Sequence, residues 1–144
     1  MKVFPDANVL VASLLWGDGV CAKIMDSLLL EEAHEIVIGA WVWEETRRTL
    51  GQRFQVPLDV VDEYESVVLG GEHTVWQRTP LALSPYLVAD PDDRVVLSCA
   101  LTAAADFLIT GDKALLAVSD QVRRTDGLLI MAPGRFWERR GELW

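Results

Sequence analysis

Four acidic positions in this sequence have the spacing that chemistry at a sheet edge requires. Asp6 directly follows the short apolar run Lys2-Val3-Phe4, and Asp112 follows Phe107-Leu108-Ile109-Thr110. Asp93 stands at the head of an apolar helical stretch, and Glu44 or Glu45 falls in the first turns of a long helix after a second apolar run. Carboxylates drawn from four segments into one pocket repel one another, and some hold their protons unless a cation neutralises them. Oxygen donors without His or Cys suit the hard cations Mg²⁺ and Mn²⁺, and such sites handle phosphates. Each acid also has a structural reading as a helix N-cap, since Asp accepts hydrogen bonds from the free N–H groups of a first turn. Asp90 before Pro91 is a good helix start of that kind. Glu45 could equally be one more solvated acid, and Glu44 has Arg48 as a partner one turn on. A capping Asp still has lone pairs for a metal, so the two readings are compatible. Asn8 either starts a helix or donates to a site carboxylate from behind. Thr110 either bonds such a carboxylate or satisfies its own strand. Asp106 is expected to hold a helix-to-strand junction.

The elements that must position these residues alternate along the chain. Strands are expected at Lys2–Phe4, Ile36–Ile38, Thr74–Trp76, Phe107–Thr110 and Leu128–Ile130. Between them lie helical patterns over 8–16 and 20–30, split by Gly17-Asp18-Gly19, then over 40–54 and 58–69, split by Pro57. A loop carrying Pro80 and Pro85 leads to a helix from Asp90 to Ala105 that is apolar almost all round and so buried. Short helices over 114–118 and 133–140 follow. This alternation predicts a three-layer α/β/α sandwich with a central, mainly parallel sheet. Ligands in such folds collect at the carboxyl ends of the strands, where Asp6 and Asp112 stand.

Composition narrows the function. The 144 residues are 51% hydrophobic, which excludes disorder as the main state and fits one domain with a real core. With 22 acids against 13 Lys and Arg, the net charge of −9 argues against a general nucleic-acid coat, which needs clustered cations. It leaves open an enzyme whose acids hold metal. Cys21 and Cys99 stand singly in apolar contexts, so neither a zinc site nor a disulfide framework is expected. No apolar run reaches the ~18 residues of a membrane span, and Asp6 comes too early for a signal peptide. A cytoplasmic protein is the expectation.

Four blocks in order carry a family resemblance: Phe4-Pro5-Asp6-Ala7-Asn8-Val9-Leu10, Glu45 within a helix, Asp90-Pro91-Asp92-Asp93 before an alanine-rich helix, and Asp106-Phe107-Leu108-Ile109-Thr110-Gly111-Asp112. Over Lys2 to Phe136 the chain resembles a PIN domain, more narrowly the PIN-type toxins of prokaryotic toxin–antitoxin pairs. The run DPDDRVVLSCALTAAADFLITGD is the specific part. The resemblance places Asp6, Asp93 and Asp112 on the family's first, third and fourth acids. The second is normally a Glu six residues beyond a Ser that closes strand two; Gly39 stands at the Ser position, which selects Glu45, although Thr46 follows where the family has an apolar residue. Asn8 and Thr110 match polar positions near the family's metal.

What the resemblance implies is an Mg²⁺- or Mn²⁺-dependent endoribonuclease acting through Asp6, Glu45, Asp93 and Asp112, with water as nucleophile and 5′-phosphate and 3′-hydroxyl products. It also implies a homodimer and a cognate antitoxin. Arg47, Arg48 and Arg53 on the long helix and Arg94 beside Asp93 are candidate phosphate contacts, against the plain reading of solvated helix-face arginines. Trp41 and Trp43 are considered for base stacking, though Trp43 belongs to the apolar stripe with Thr46, Leu50 and Phe54. Residues 137–144 form a C-terminal tail of the single domain, and its Trp137 and Trp144 are candidates for an interface, unless they fold back on the body. The rival reading is a catalytically weak PIN-like interaction module whose acids are caps. A phospho-acceptor domain or a haloacid-dehalogenase-type phosphatase fits worse, because Asp6 has no acidic neighbour and Asn8 stands where a second Asp would be needed.

Overall fold

Strand β1 (Lys2–Pro5) lies in the middle of a five-stranded sheet of order β3-β2-β1-β4-β5, in which every paired neighbour is parallel. The structure is a computed structural model and describes residues 1–78 and 83–143. The other strands are β2 (Glu35–Gly39), β3 (Thr74–Gln77), β4 (Phe107–Ile109) and β5 (Leu129–Met131). Helices α1 (Ala7–Leu15) and α2 (Val20–Leu30) join β1 to β2, and α3 (Ala40–Arg48) and α4 (Leu58–Leu69) join β2 to β3. Helix α5 (Pro91–Thr102) precedes β4, α6 (Lys113–Ala117) and α7 (Ser119–Asp126) precede β5, and α8 (Pro133–Leu143) follows it.

Chain direction across the sheet reverses between β1 and β4. In a doubly wound sheet this reversal sends the successive crossovers to opposite faces and leaves a crevice at the strands' carboxyl ends. Both faces are covered, so the strands read as continuous apolar runs: Val3, Phe4, Ile36, Ile38, Phe107, Leu108 and Ile109 are all buried. Phe107 meets Phe136 of α8 edge to face at 5.4 Å, which docks the last helix on the sheet. The amino end of β1 is tied to β4 by Asp106, whose Oδ2 accepts the Lys2 N–H at 2.8 Å. Gly39 closes β2 so near Phe4 that a Cβ would stand 2.8 Å from its ring. Cys21 and Cys99 are buried and free.

Three departures from the periodicity are informative. The helix expected over 40–54 is α-helical only to Arg48 and continues as a π-helical turn, Thr49–Arg53, that closes at Gln55 with φ 52°. Helix α5 stops at Thr102 rather than at Ala105, because Ala104 turns left-handed (φ 53°) and the Ala105 N–H reaches back to the Ala100 carbonyl. Helix α7, absent from the sequence reading, is polar around a single buried side chain, Val122, and ends at the left-handed Gly127. Helix α8 runs through the segment read as a tail. Trp137 packs partly against the core beneath the Arg140 guanidinium, 3.8 Å from its ring centroid. Pro80 and Trp144 lie outside the described residues. Among those residues no single helix is long and apolar enough to cross a membrane.

Candidate functional site

Asp6 leaves the end of β1 as the N-cap of α1, its Oδ1 accepting the Ala7 N–H at 2.7 Å. Across the β1/β4 switch point Thr110 donates its hydroxyl to Asp6 Oδ2, also at 2.7 Å. The same Thr110 oxygen accepts the Asp112 N–H at 3.0 Å, and Asp112 Oδ1 in turn accepts the Ala114 N–H at 2.8 Å, capping α6. Asn8 closes the network: its carbonyl oxygen accepts the Gly111 N–H at 3.1 Å, while its amide faces Asp6 Oδ2 at 3.5 Å and Thr110 Oγ1 at 3.4 Å. Capping and site geometry are thus met by the same atoms.

Asp93 differs from these acids. It sits inside the first turn of α5, which Asp90 caps through the Asp92 N–H, so Asp93 has no capping duty. It is buried, and its Oδ2 has no hydrogen-bond partner among the described residues. Burial, then a side-chain hydrogen bond with Asp112 and the charges of Asp112, Asp6 and Asp90, push its carboxyl up to about 8. Asp6 is also raised by burial, against the lowering bonds from Thr110 and Ala7, with the charge of Asp112 adding to the rise.

These three acids line one cleft of about 400 Å³ with Asn8 and Glu45. Glu44 is exposed and does not line it. The Glu45 carboxylate is ion-paired with Arg48, one turn further along α3. Thr49 and Arg53 line the same wall. In an α-helix four residues overshoot a full turn by ~40°. The wider π turn, closed by the Phe54 N–H on the Thr49 carbonyl at 3.3 Å, removes that overshoot and keeps Arg53 on the face of Glu45.

Two arginines named as phosphate contacts are turned elsewhere. Arg47 pairs with Asp62 at 3.0 Å and Glu65 at 3.3 Å on α4. Arg94 holds the Ser84 carbonyl from Nε at 2.9 Å and Nη2 at 2.6 Å. Arg48 reaches the cleft only through Glu45. Trp43 is buried and donates to Glu65 Oε1 at 2.6 Å, and Trp41 packs half-buried on the core. The aromatic residues that do line the cleft are Trp16 and Phe54, with Asp90 and Asp92 at its acidic rim. Trp16 was not singled out from the sequence, where it is only the last residue before a glycine turn. Arg53, a candidate phosphate contact in the sequence, does line the cleft, and Thr49 shares its four-residue steps from Glu45.

The donor set fits a hard divalent cation: it is all oxygen, densely anionic, and includes one buried carboxylate oxygen with nothing to bond. As arranged, no three His, Cys, Asp or Glu side chains among the described residues stand close enough to enclose an ion.

A family model for the PIN domain matches residues 2–114, a span that contains all four acids, Asn8 and Thr110. The chain belongs to the PIN domain family. PIN domains are generally nucleases and generally depend on divalent metal ions. The fold agrees with one chain of the crystal structure of VapBC2 from Rickettsia felis bound to a DNA fragment from their promoter. The TM-score is 0.61 at 14% identity, covering 92% of this PIN domain chain and 98% of that one. No curated protein matches the sequence.

Proposed function

We propose that the chain is a single PIN nuclease domain over residues 1–144 that hydrolyses RNA internally with Mg²⁺ or Mn²⁺, as the cytoplasmic toxin of a toxin–antitoxin pair. The observation that carries this reading is the unpartnered oxygen of Asp93, buried in a cleft it shares with Asp6, Glu45 and Asp112. Asp6, Asp90 and Asp112 each cap a helix, which by itself also suits an interaction module without catalysis. Asp93 caps nothing, and a buried carboxyl oxygen left without a partner beside Asp6 and Asp112 is explained by a ligand that pairs with it.

Asp6, Glu45, Asp93 and Asp112 would hold the ion. When bound there it supplies activation of water and neutralisation of charge on the phosphate. The chain's own groups do the positioning. Thr110 and the Ala7 N–H fix both oxygens of Asp6, and Asn8 ties the β4–α6 loop to the start of α1. Arg48 holds Glu45 at the wall, and Arg53 offers a cation to a phosphate entering along it. Attack by water rather than by the ribose 2′-hydroxyl leaves a 5′-phosphate and a 3′-hydroxyl. An antitoxin partner is supported by the fold neighbour, whose structure is a VapBC2 assembly on DNA; a homodimer belongs to the same reading. Cleavage of labelled single-stranded RNA with each metal and with chelator, for the wild type and Asp93→Asn, tests it. Cutting that needs metal and Asp93 is the expected result.

A further inference from the structure

Trp16 ends α1 and is held on both sides of its peptide. Its N–H donates to the Ala12 carbonyl at 3.0 Å, and its own carbonyl accepts the Gly19 N–H at 2.9 Å. A Cβ at Gly19 would stand 3.1 Å from that oxygen, so the glycine lets the turn close against it. Trp16 is nonetheless 57% exposed. It leans on Phe54 with ring planes at 86° and centroids 6.2 Å apart, a contact that stacks neither ring on the other. Phe54 rests on a small second core of Val11, Leu50 and Val61, and the Arg53 guanidinium lies 5.1 Å from the Phe54 ring centroid. Trp16, Phe54 and Arg53 line the same cleft as the acids.

An acidic cleft repels a phosphate chain, and Arg53 is the one cation among its described lining residues. Affinity beyond what a bound cation and Arg53 supply calls for a contact that is indifferent to charge. Base stacking on an aromatic ring is such a contact, and it requires a base freed from a duplex. We propose that Trp16 is the stacking platform for one unpaired base of the substrate, with Arg53 contacting the adjoining phosphate. The inference rests on the nuclease reading for its substrate. It adds an aromatic subsite fixed by α1 and the π turn.

The test uses fluorescein-labelled single-stranded RNA and a blunt duplex of the same sequence, read by anisotropy in Mg²⁺ and by cleavage. Wild type, Trp16→Ala and Trp16→Phe are compared, on intact RNA and on RNA with one abasic residue moved through the sequence. The expected result is preference for the single strand and about tenfold weaker binding by Trp16→Ala, or about 1.4 kcal/mol. Trp16→Phe should recover most of the loss. One abasic position should weaken wild type by a similar factor and leave Trp16→Ala unmoved. Equal abasic penalties in wild type and Trp16→Ala, or unchanged affinity in Trp16→Ala, overturn the subsite. Trp16-dependent binding without cleavage sustains the subsite and overturns the nuclease reading; cleavage that ignores Trp16 does the reverse. Absence of both binding and cleavage overturns both.

Discussion

Thr110 Oγ1 donates to Asp6 Oδ2 at 2.7 Å and accepts the Asp112 N–H at 3.0 Å, so one hydroxyl at the end of β4 fixes two acids that stand 106 positions apart in the chain. The parallel pairing of Pro5 with Ile109 puts the two strand ends level, which is what lets a side chain as short as threonine bridge them.

Thr110→Val keeps the shape and removes this bridge. Asp6 loses a donor and the Asp112 N–H loses its acceptor inside a buried site, at a cost of about 1–3 kcal/mol. Metal affinity or activity should fall by about 10–100-fold, the usual effect of losing a group that orients a ligand. Urea unfolding and a metal titration check the two halves. A variant with unchanged metal affinity would mean that Asp6 is held for α1 alone.

Asp93 makes the metal-free protein sensitive to alkali. Its carboxyl is pushed up to about 8 by burial and the surrounding acids, against about 3.9 in an unfolded chain. The folded state therefore binds the proton more tightly. That contribution to stability is fully present below about pH 4 and is lost as the pH rises through 8. In chelator, Asp93→Asn should match wild type at or below about pH 4 and exceed it by a margin that grows from there until the pH passes about 8, since it leaves no buried charge to expose. Mg²⁺ at pH 8 should raise the melting temperature of wild type and not of the variant. The same dependence of stability on pH in both proteins would contradict this account of Asp93.

Arg94 adjoins Asp93 in sequence, yet its guanidinium is spent on the Ser84 carbonyl. Arg94→Ala should therefore cost stability, about 1.5–3 kcal/mol for bonds to a charged donor, and leave the KM for RNA within about twofold. A raised KM at unchanged stability would return Arg94 to the substrate.

The fold was legible because its apolar runs are bounded by strong punctuation. Gly39, Pro57, Gly70-Gly71 and Asp90-Pro91 all mark element ends in the structure. That Asp6, Asp93 and Asp112 share one cleft was legible because the ends of parallel strands and the head of α5 converge on one edge. The boundary at Ala104 was hidden because an alanine occupies a left-handed position where glycine is the usual sign. The π turn was hidden because Trp43, Thr46 and Leu50 continue the helical stripe into it. Glu44 and Glu45 flank that stripe at similar angles, so only packing separates the exposed Glu44 from the cleft-lining Glu45. The directions taken by Arg47 and Arg94 depend on α4 and on the Ser84 loop, contacts that no local pattern encodes.

The most direct test of the central claim is cleavage of a labelled single-stranded RNA panel by the purified chain with Mg²⁺, with Mn²⁺ and with chelator, alongside Asp93→Asn. Internal cuts bearing 5′-phosphates, absent in chelator and absent in Asp93→Asn, are the predicted result. A folded wild-type chain that neither cuts RNA nor binds either metal would contradict it and leave Asp6 and Asp112 as helix caps, Glu45 as the ion-pair partner of Arg48, and the buried Asp93 without a ligand to explain it.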